Sequence, residues 1–388
     1  MSHEPPASIA DFVALRQRLH AHPELGLEEI ATSTLVADLL AGWGYEVARG
    51  VGGTGVVATL RQGAGARSIG LRADMDALPI TEATGLGYAS TRTGVMHACG
   101  HDGHTTILLA AARELAMRRN FSGTLRLIFQ PAEETEGGAM RMIEDGLFTR
   151  FPVDAIYALH NWPGVPAGAF RFVDGAAMAS VDLVIITIEG QGGHGARPHE
   201  TVDPVVAASS LVLALQTIVS RNVDPLETAV VTVGSIHGGA APNVIPDRVE
   251  LQLTVRAFTD AVRERIRARI RVLAEAHAAS YGATARVFHP PGYPALVNHA
   301  AETDFARAVA LRHFGAGQVD SLPPALVSED FAFMLEQRPG AYFFVGNGPS
   351  ADLHSPRYDF NDAAIEPAAR YWVALAEDYL AANKPPGG

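Results

Sequence analysis

The stretch HACGHDGH, residues 97–104, sets three histidines, an aspartate and the chain's only cysteine within eight residues. A lone thiol has no internal partner for a disulfide, so Cys99 is a buried small hydrophobe, a nucleophile or a metal ligand. A nucleophile needs a base that a third group orients. His101 is the nearest base, but Asp102 beside it would face away, and no orienting group is evident. The metal reading gathers more of the sequence. Cys99 and His101 are two apart, so on extended chain their side chains point the same way, and Gly100 and Gly103 let the backbone bend around an ion. Thiolate, imidazole and carboxylate suit a borderline divalent ion such as zinc, manganese, cobalt or nickel.

Other positions offer matching groups. In PAEE, Glu133 and Glu134 supply one carboxylate to bind metal and a neighbour to act as a base. His160 in ALHNWP, His194 in GGHGARPH and His354 in DLHSP are further candidates. Each alone has an ordinary structural explanation: a buried thiol, a satisfied histidine, a solvated glutamate pair. Jointly, their number and types suit a two-metal site. His97 and His104 are read as structural, orienting the loop or starting the next helix.

These groups must be brought together by the elements around them. Apolar residues at helical spacing predict helices over 8–22 and 28–42, with strands at 55–60 and 68–76. A helix over 104–119, a strand over 123–134 running into a proline-marked loop, a helix over 137–148 and a strand over 154–162 follow. This alternation implies a mostly parallel sheet with helices on both faces. Glu133, Glu134 and His160 then lie at strand ends or in the loops after them, where an open parallel sheet forms its ligand crevice. From about residue 180 the pattern changes to partly alternating, antiparallel-type strands at 180–191, 228–236 and 248–257, with helices at 203–220 and 260–280. Residues 286–296 carry three prolines and read as a linker, and helices at 328–337 and 362–382 flank a strand at 341–347. The expected organisation is an α/β catalytic domain, residues 1–179 and 291–388, interrupted by a small α+β domain over 180–290.

The bulk composition narrows the function classes. At 388 residues the chain is long enough for two domains, and 48% hydrophobic with 19% charged residues is ordinary for a globular protein. One cysteine fits a reducing compartment, and no basic segment followed by an apolar run is read at the start, so the cytoplasm is expected. The apolar stretches are too short for a membrane span, and a net charge of −12 argues against nucleic acid as a partner.

The motifs RADMDALP (72–79), HACGHDGH, FQPAEE (129–134), ALHNWP (158–163), GGHGARPH (192–199), GGAAPNVIP (238–246), SEDF (328–331) and LHSP (353–356) resemble the amidohydrolase branch of the aminoacylase and carboxypeptidase family of two-metal peptidases. That branch includes hippurate hydrolases, N-acyl-amino-acid aminoacylases and auxin-conjugate hydrolases. The resemblance implies two divalent transition-metal ions per subunit, held by Cys99, His101, Glu134, His160 and His354, with Cys99 between them where related branches use an aspartate. Glu133 would be the general base. Asp76 matches the family's orienting aspartate, while Asp74 stands where related branches carry a histidine ligand. The inserted domain would serve as lid and dimerisation domain, giving a homodimer or homotetramer, and would send His194 across to polarise the scissile carbonyl. Asn243 and Arg256 would hold the substrate carboxylate. The implied reaction is hydrolysis of the amide bond of small N-acyl amino acids. The rival readings are a dipeptidase or carboxypeptidase on the same site, or a non-catalytic metal-dependent binding protein, against which the presence of Glu133 speaks.

Overall fold

In the computed structural model, which describes residues 6–135 and 137–381, the chain first lays down strands β1 (Glu46–Val51), β2 (Gly55–Gln62), β3 (Ser68–Asp74), β4 (Gly123–Gln130), β5 (Ala155–Pro163) and β6 (Phe170–Phe172). With Val319–Ser321 and Gly340–Gly348 they form one eight-stranded sheet, in the order β1, β2, β4, β3, β5, Gly340–Gly348, β6, Val319–Ser321. The centre, β4–β3–β5–Gly340–Gly348, is parallel, and β1 and β2 add antiparallel at one edge. Central parallel strands are buried on both sides, and here the polar residues they carry, among them Arg72 in β3 and Arg126 in β4, are buried as well.

Alternate residues divide between the two faces. Leu125, Leu127, Ile69, Leu71, Tyr157 and Leu159 join a large core with helices α1 (Ile9–Ala21), α2 (Ile30–Gly42), α3 (His101–Arg118), Ala300–Phe314 and Ile365–Ala381. On the other face Ile128, Ile156 and Ala158 are buried beneath α4 (Gly138–Glu144) and the helix Phe331–Gln337. His160 shares that second parity. The α/β class with a mostly parallel sheet is therefore the observed one.

Contacts divide the chain into two compact units, the larger comprising the chain up to Ala177, Val297–Pro323 and the chain from Asp330 onward, the smaller comprising Met178–Leu296 and Pro324–Glu329. The boundaries differ from the sequence expectation at both returns. Tyr293 pairs with Val181, and Ala179 N–H donates to Ala325 and Val327 carbonyls, so these segments belong with the smaller unit. In that unit Ala229–His237, Arg248–Ala257, Ser180–Glu189 and Thr284–Phe288 make an antiparallel sheet. Its strands alternate buried and exposed positions, and the buried set packs on helices Pro204–Leu215 and Asp260–Ser280. The first three residues of the expected linker, 286–288, thus belong to a strand, Thr284–Phe288, because it pairs along Ser180–Glu189. The expected helix over 203–220 is two helices, Pro204–Leu215 and Thr217–Asn222, and β1 was not anticipated. The expected final helix runs Ile365–Ala381, and its anticipated end at residue 382 lies outside the described residues.

Candidate active site

The carboxyl ends of β3, β4 and β5 point the same way because these strands are parallel. Asp74 ends β3 and Asp76 follows it, PAEE follows β4, and His160 lies within the last turn of residues of β5. The fourth component is the loop before α3. Gly100 there adopts φ +92°, and a Cβ at this position would lie 2.3 Å from Asn161 Nδ2, so glycine is needed for both conformation and space. Gly103 is required for a different reason from the bend expected: it sits within α3 against Phe360, whose ring would lie 2.3 Å from an added Cβ. The helix begins at His101, three residues earlier than the sequence suggested, because Gly100 serves as its N-cap.

Several trios of candidate donors result, in each of which one donor atom per residue lies within 4.8 Å of the others; two of them, Cys99/His101/His160 and Cys99/Glu134/His354, share the thiol, and a third joins His101 and Glu134 to Glu133. The Cys99 Sγ is 3.3 Å from His160 Nε2. Nδ1 of His160 donates to the Asn161 carbonyl at 2.6 Å, which leaves Nε2 as the lone-pair side. Nδ1 of His101 faces Asp76 Oδ1 at 3.2 Å, and the other Asp76 oxygen accepts from Glu134 N–H at 3.0 Å. One carboxylate thereby orients two of the candidate ligands. His354, half exposed, holds a left-handed backbone, φ +64°, and brings Nε2 to 3.2 Å from Glu134 Oε1. Glu133 is buried and its Oε1 accepts from Asp330 N–H at 3.3 Å.

Two observations fit this set to metal ions. His101 Nε2 and Glu134 Oε1 are buried polar atoms with no hydrogen-bond partner, although each faces the cluster. Buried polar atoms are rarely left unpaired without a ligand to receive. The donors are thiolate, imidazole and carboxylate, the types that borderline divalent ions take.

The electrostatics agree. Burial and the neighbouring carboxylates of Glu134, Glu133 and Asp74 push the Cys99 thiol well above its ordinary range. These carboxylates surround the thiol with negative charge, whereas a reactive cysteine needs an electropositive surrounding, which speaks against the nucleophile reading. Burial would depress His101, but Asp74, Asp76 and Glu134 outweigh it and lift the imidazole to about 10, so an arriving cation must displace the ring proton before His101 can ligate. Burial, with His104 and His101 nearby, drives His160 well down, so its ring is neutral as a ligand must be.

Sequence reasoning missed the shell behind the donors. Asp74, placed where related branches carry a histidine, instead accepts from His104 Nδ1 at 2.6 Å and from Arg72 at 2.6 Å. His104 Nε2 accepts from Asn161 N–H at 3.0 Å, and Asn161 Nδ2 donates to the Cys99 carbonyl at 2.6 Å. Tyr358 Oη donates to Asn161 Oδ1 at 2.6 Å. Asp102 turns away from His101, as expected, to pair with His20 at 2.8 Å and Arg16 at 3.7 Å. Arg16 also reaches Asp359 and Asp362, in the loop after His354. The group that orients His101, not evident from the residues around Cys99 themselves, is Asp76, the aspartate that the family resemblance had picked out in RADMDALP, two residues past the end of a strand.

His194, Asn243 and Arg256 lie in the smaller unit. His194 and Asn243 are neighbours on a two-stranded ribbon, where His194 pairs with Val244 and Gly195 N–H donates to the Asn243 carbonyl at 2.8 Å. His194 is exposed, and its Nδ1 accepts from Ala196 N–H at 3.1 Å, so the proton sits on Nε2. Arg256 stands in a central strand of the smaller sheet and donates to Ser328 Oγ at 3.1 Å.

A thiol shared by two trios of candidate donors, with the Glu133 carboxylate beside His101 and Glu134, has the donor types that a pair of divalent ions takes. Residues 70–378 match the profile of Peptidase family M20/M25/M40, and the chain belongs to that family. It is 44% identical to hippurate hydrolase of Campylobacter jejuni, over 95% of this chain and 97% of the relative. It is 41% identical to N-acetyl-L-cysteine deacetylase of Bacillus subtilis, over 96% of this chain and 89% of the relative. Among solved structures, a Bacillus subtilis protein described as a dinuclear metal-binding peptidase of the M20 family superposes with a TM-score of 0.85 at 34% identity, covering 96% of this chain and 98% of that one.

Proposed function

We propose that the chain hydrolyses the amide bond of N-acyl amino acids, releasing a carboxylic acid and a free amino acid. The observation that carries this reading is Cys99 shared between two donor trios, with the buried Glu133 carboxylate beside His101 and Glu134. The names of the relatives supply the substrate class: one acts on hippurate, an N-acyl glycine, and the other on N-acetylcysteine.

Cys99, His101, Glu134, His160 and His354 would hold two divalent ions, with zinc, manganese, cobalt and nickel all compatible with the donors. Ions bound there acidify a water and polarise a carbonyl oxygen. The chain's own residues do the rest. Asp76 fixes the His101 ring and the Glu134 backbone, so those donors are held before any ion arrives. Glu133, aimed by Asp330 N–H, takes the proton of the attacking water. It then hands that proton to the departing nitrogen, so that the amine leaves neutral. His194, with its proton on Nε2, donates to the oxygen on which negative charge develops. We place His194 at the site of a second copy of the chain, in a homodimer, and assign Asn243 and Arg256 to the substrate carboxylate. A metal-ligating thiol that oxidises readily suits the reducing cytoplasm.

The test is Glu133→Gln beside Glu134→Gln, with turnover of hippurate, N-acetyl amino acids and dipeptides measured together with metal content. Glu133→Gln should keep its metal and lose about 10²–10⁴-fold in turnover, the usual worth of general-base catalysis. Glu134→Gln should lose metal first and recover part of its rate in excess metal. Metal loss in Glu133→Gln alone reverses the two roles, and full activity in both variants overturns the reading. Faster turnover of dipeptides than of N-acyl amino acids overturns the substrate class.

A further inference from the structure

Glu29 is fully buried, has no basic partner among the described residues, and belongs to no donor trio. It stands at the N-cap of α2 but does not cap that helix. Glu24 does so instead, accepting from Ala31 N–H at 3.1 Å and Thr32 N–H at 2.8 Å. The Glu29 carboxylate is used elsewhere. Its Oε2 accepts from Thr54 Oγ1 at 2.5 Å, and its Oε1 accepts from Ala132 N–H at 2.8 Å.

Ala132 is the residue before Glu133 and Glu134, and its φ is +50°, a left-handed conformation that alanine avoids. Three contacts hold it there besides Glu29. Gly138 N–H donates to its carbonyl at 3.0 Å. Gly26 packs so closely that an added Cβ would lie 2.9 Å from Ala132 Cβ. Two residues on, Glu134 N–H is held by Asp76. The left-handed residue sets the direction in which the next two side chains leave the turn, and strained backbone of this kind persists only where the surroundings over-determine it.

We propose that Glu29 is a positioning residue: by accepting the Ala132 N–H it holds the turn that aims Glu133 at the attacking water and Glu134 at its metal position. The proposal rests on the roles given above to those two glutamates. Glu29 touches neither substrate nor metal. It acts through the backbone of Ala132, and Thr54 fixes the carboxylate that does so.

Glu29→Ala removes the acceptor, Glu29→Gln keeps an amide oxygen for Ala132 and an amide N–H for Thr54 Oγ1, and Thr54→Val loosens the carboxylate while leaving it in place. Four quantities are read on each: kcat, KM, metal affinity by competition with a chelator, and the melting midpoint. A displacement of about 1 Å in a catalytic group costs roughly 10²-fold, so Glu29→Ala should lose about that in kcat, with KM changed little. Metal affinity should fall about 10-fold or more, the usual consequence of removing a group behind a ligand. Glu29→Gln should restore kcat and metal affinity to within a few-fold of the parent. If Glu29→Ala does not fold, Thr54→Val decides: a several-fold loss in kcat at unchanged KM is expected, and an unchanged kcat overturns the proposal. A lowered melting midpoint with kcat per metal-loaded site unchanged would show a purely structural contact and overturn it, as would a Glu29→Gln variant as impaired as Glu29→Ala. Glu133→Gln serves as the control: if it is inactive while Glu29→Ala is fully active, the positioning role alone fails, and if Glu133→Gln is itself active, the underlying reading fails first.

Discussion

His101 Nδ1 lies 3.2 Å from Asp76 Oδ1, and that contact leaves His101 Nε2 facing Cys99 and His160 with no hydrogen bond of its own. Asp76→Ala should therefore free the ring and weaken metal binding by about 10–100-fold, since the partner behind a ligating histidine has that worth. Chelator competition measures it. Unchanged affinity would mean that α3 alone orients the ring.

Alkylation of Cys99 should depend on metal. A sulfur lone pair engaged by an ion is unavailable to iodoacetamide, whereas the metal-free thiol reacts at the rate its burial allows. Labelling followed by mass spectrometry should show protection by zinc or manganese that excess chelator removes. Equal rates in both conditions would return Cys99 to the status of a buried small side chain.

Gly103→Ala places a methyl group inside the Phe360 ring, 2.3–2.6 Å from its carbons. Overpacking of this kind costs about 1–3 kcal/mol. Because Phe360 follows the loop that carries His354, the variant should lose metal affinity as well as stability, and Phe360→Leu in the same chain should restore part of both. Chemical denaturation and metal competition, run on the single and double variants, provide the check.

The smaller unit carries its own pH dependence. Asp182 is buried and takes two hydrogen bonds from Arg263, at 2.7 and 2.8 Å, and one from Arg267, at 2.6 Å. Burial would raise its carboxyl, but these two guanidinium groups together hold it below the ordinary value of 3.8. A depressed folded-state pKa stabilises above the unfolded-state value and loses that stabilisation as pH falls through the folded one. Asp182→Asn should therefore cost about 3–5 kcal/mol at neutral pH, the toll of stranding a buried ionic partner. The gap between parent and variant should close as the pH is taken below the carboxylate range. Denaturant titrations across that range measure it, and a gap independent of pH would mean that the charge of Asp182 contributes nothing.

The candidate donors stand out in the sequence because their chemistry is local to short motifs: a thiol two residues from an imidazole, two adjacent glutamates after a strand, a histidine at a strand end. The mostly parallel sheet was legible because the strands that became β3, β4 and β5 are separated by segments of helical spacing, as crossover connections require. Of the contacts that aim the donors, only an orienting role for Asp76 was implied, and by the family resemblance rather than by spacing. Asp76 beside His101, Glu29 beside Ala132 and Asp330 beside Glu133 are separated by 25, 103 and 197 residues, and no periodicity encodes such pairings. Short paired strands were lost as well. Thr284–Phe288 sits among prolines and is a strand only because Ser180–Glu189 lies beside it. The start of α3 was misplaced because Gly100 at its N-cap reads as flexibility rather than as a helix boundary.

Arg16 is buried in α1, yet its partners Asp359 and Asp362 come 343 and 346 residues later. During synthesis, at about 5–20 residues per second, Arg16 therefore waits roughly 20–70 s for them. His354 arrives in the same late segment. The nascent chain thus carries most of its ligands long before it has the tether that closes the loops around them. A ribosome-bound intermediate arrested before residue 354 would display Cys99, His101, Glu134 and His160 with the Cys99/Glu134/His354 trio incomplete. The Cys99/His101/His160 trio is thus complete in sequence well before His354 emerges, and the second thiol-sharing trio closes only once the chain has passed that residue.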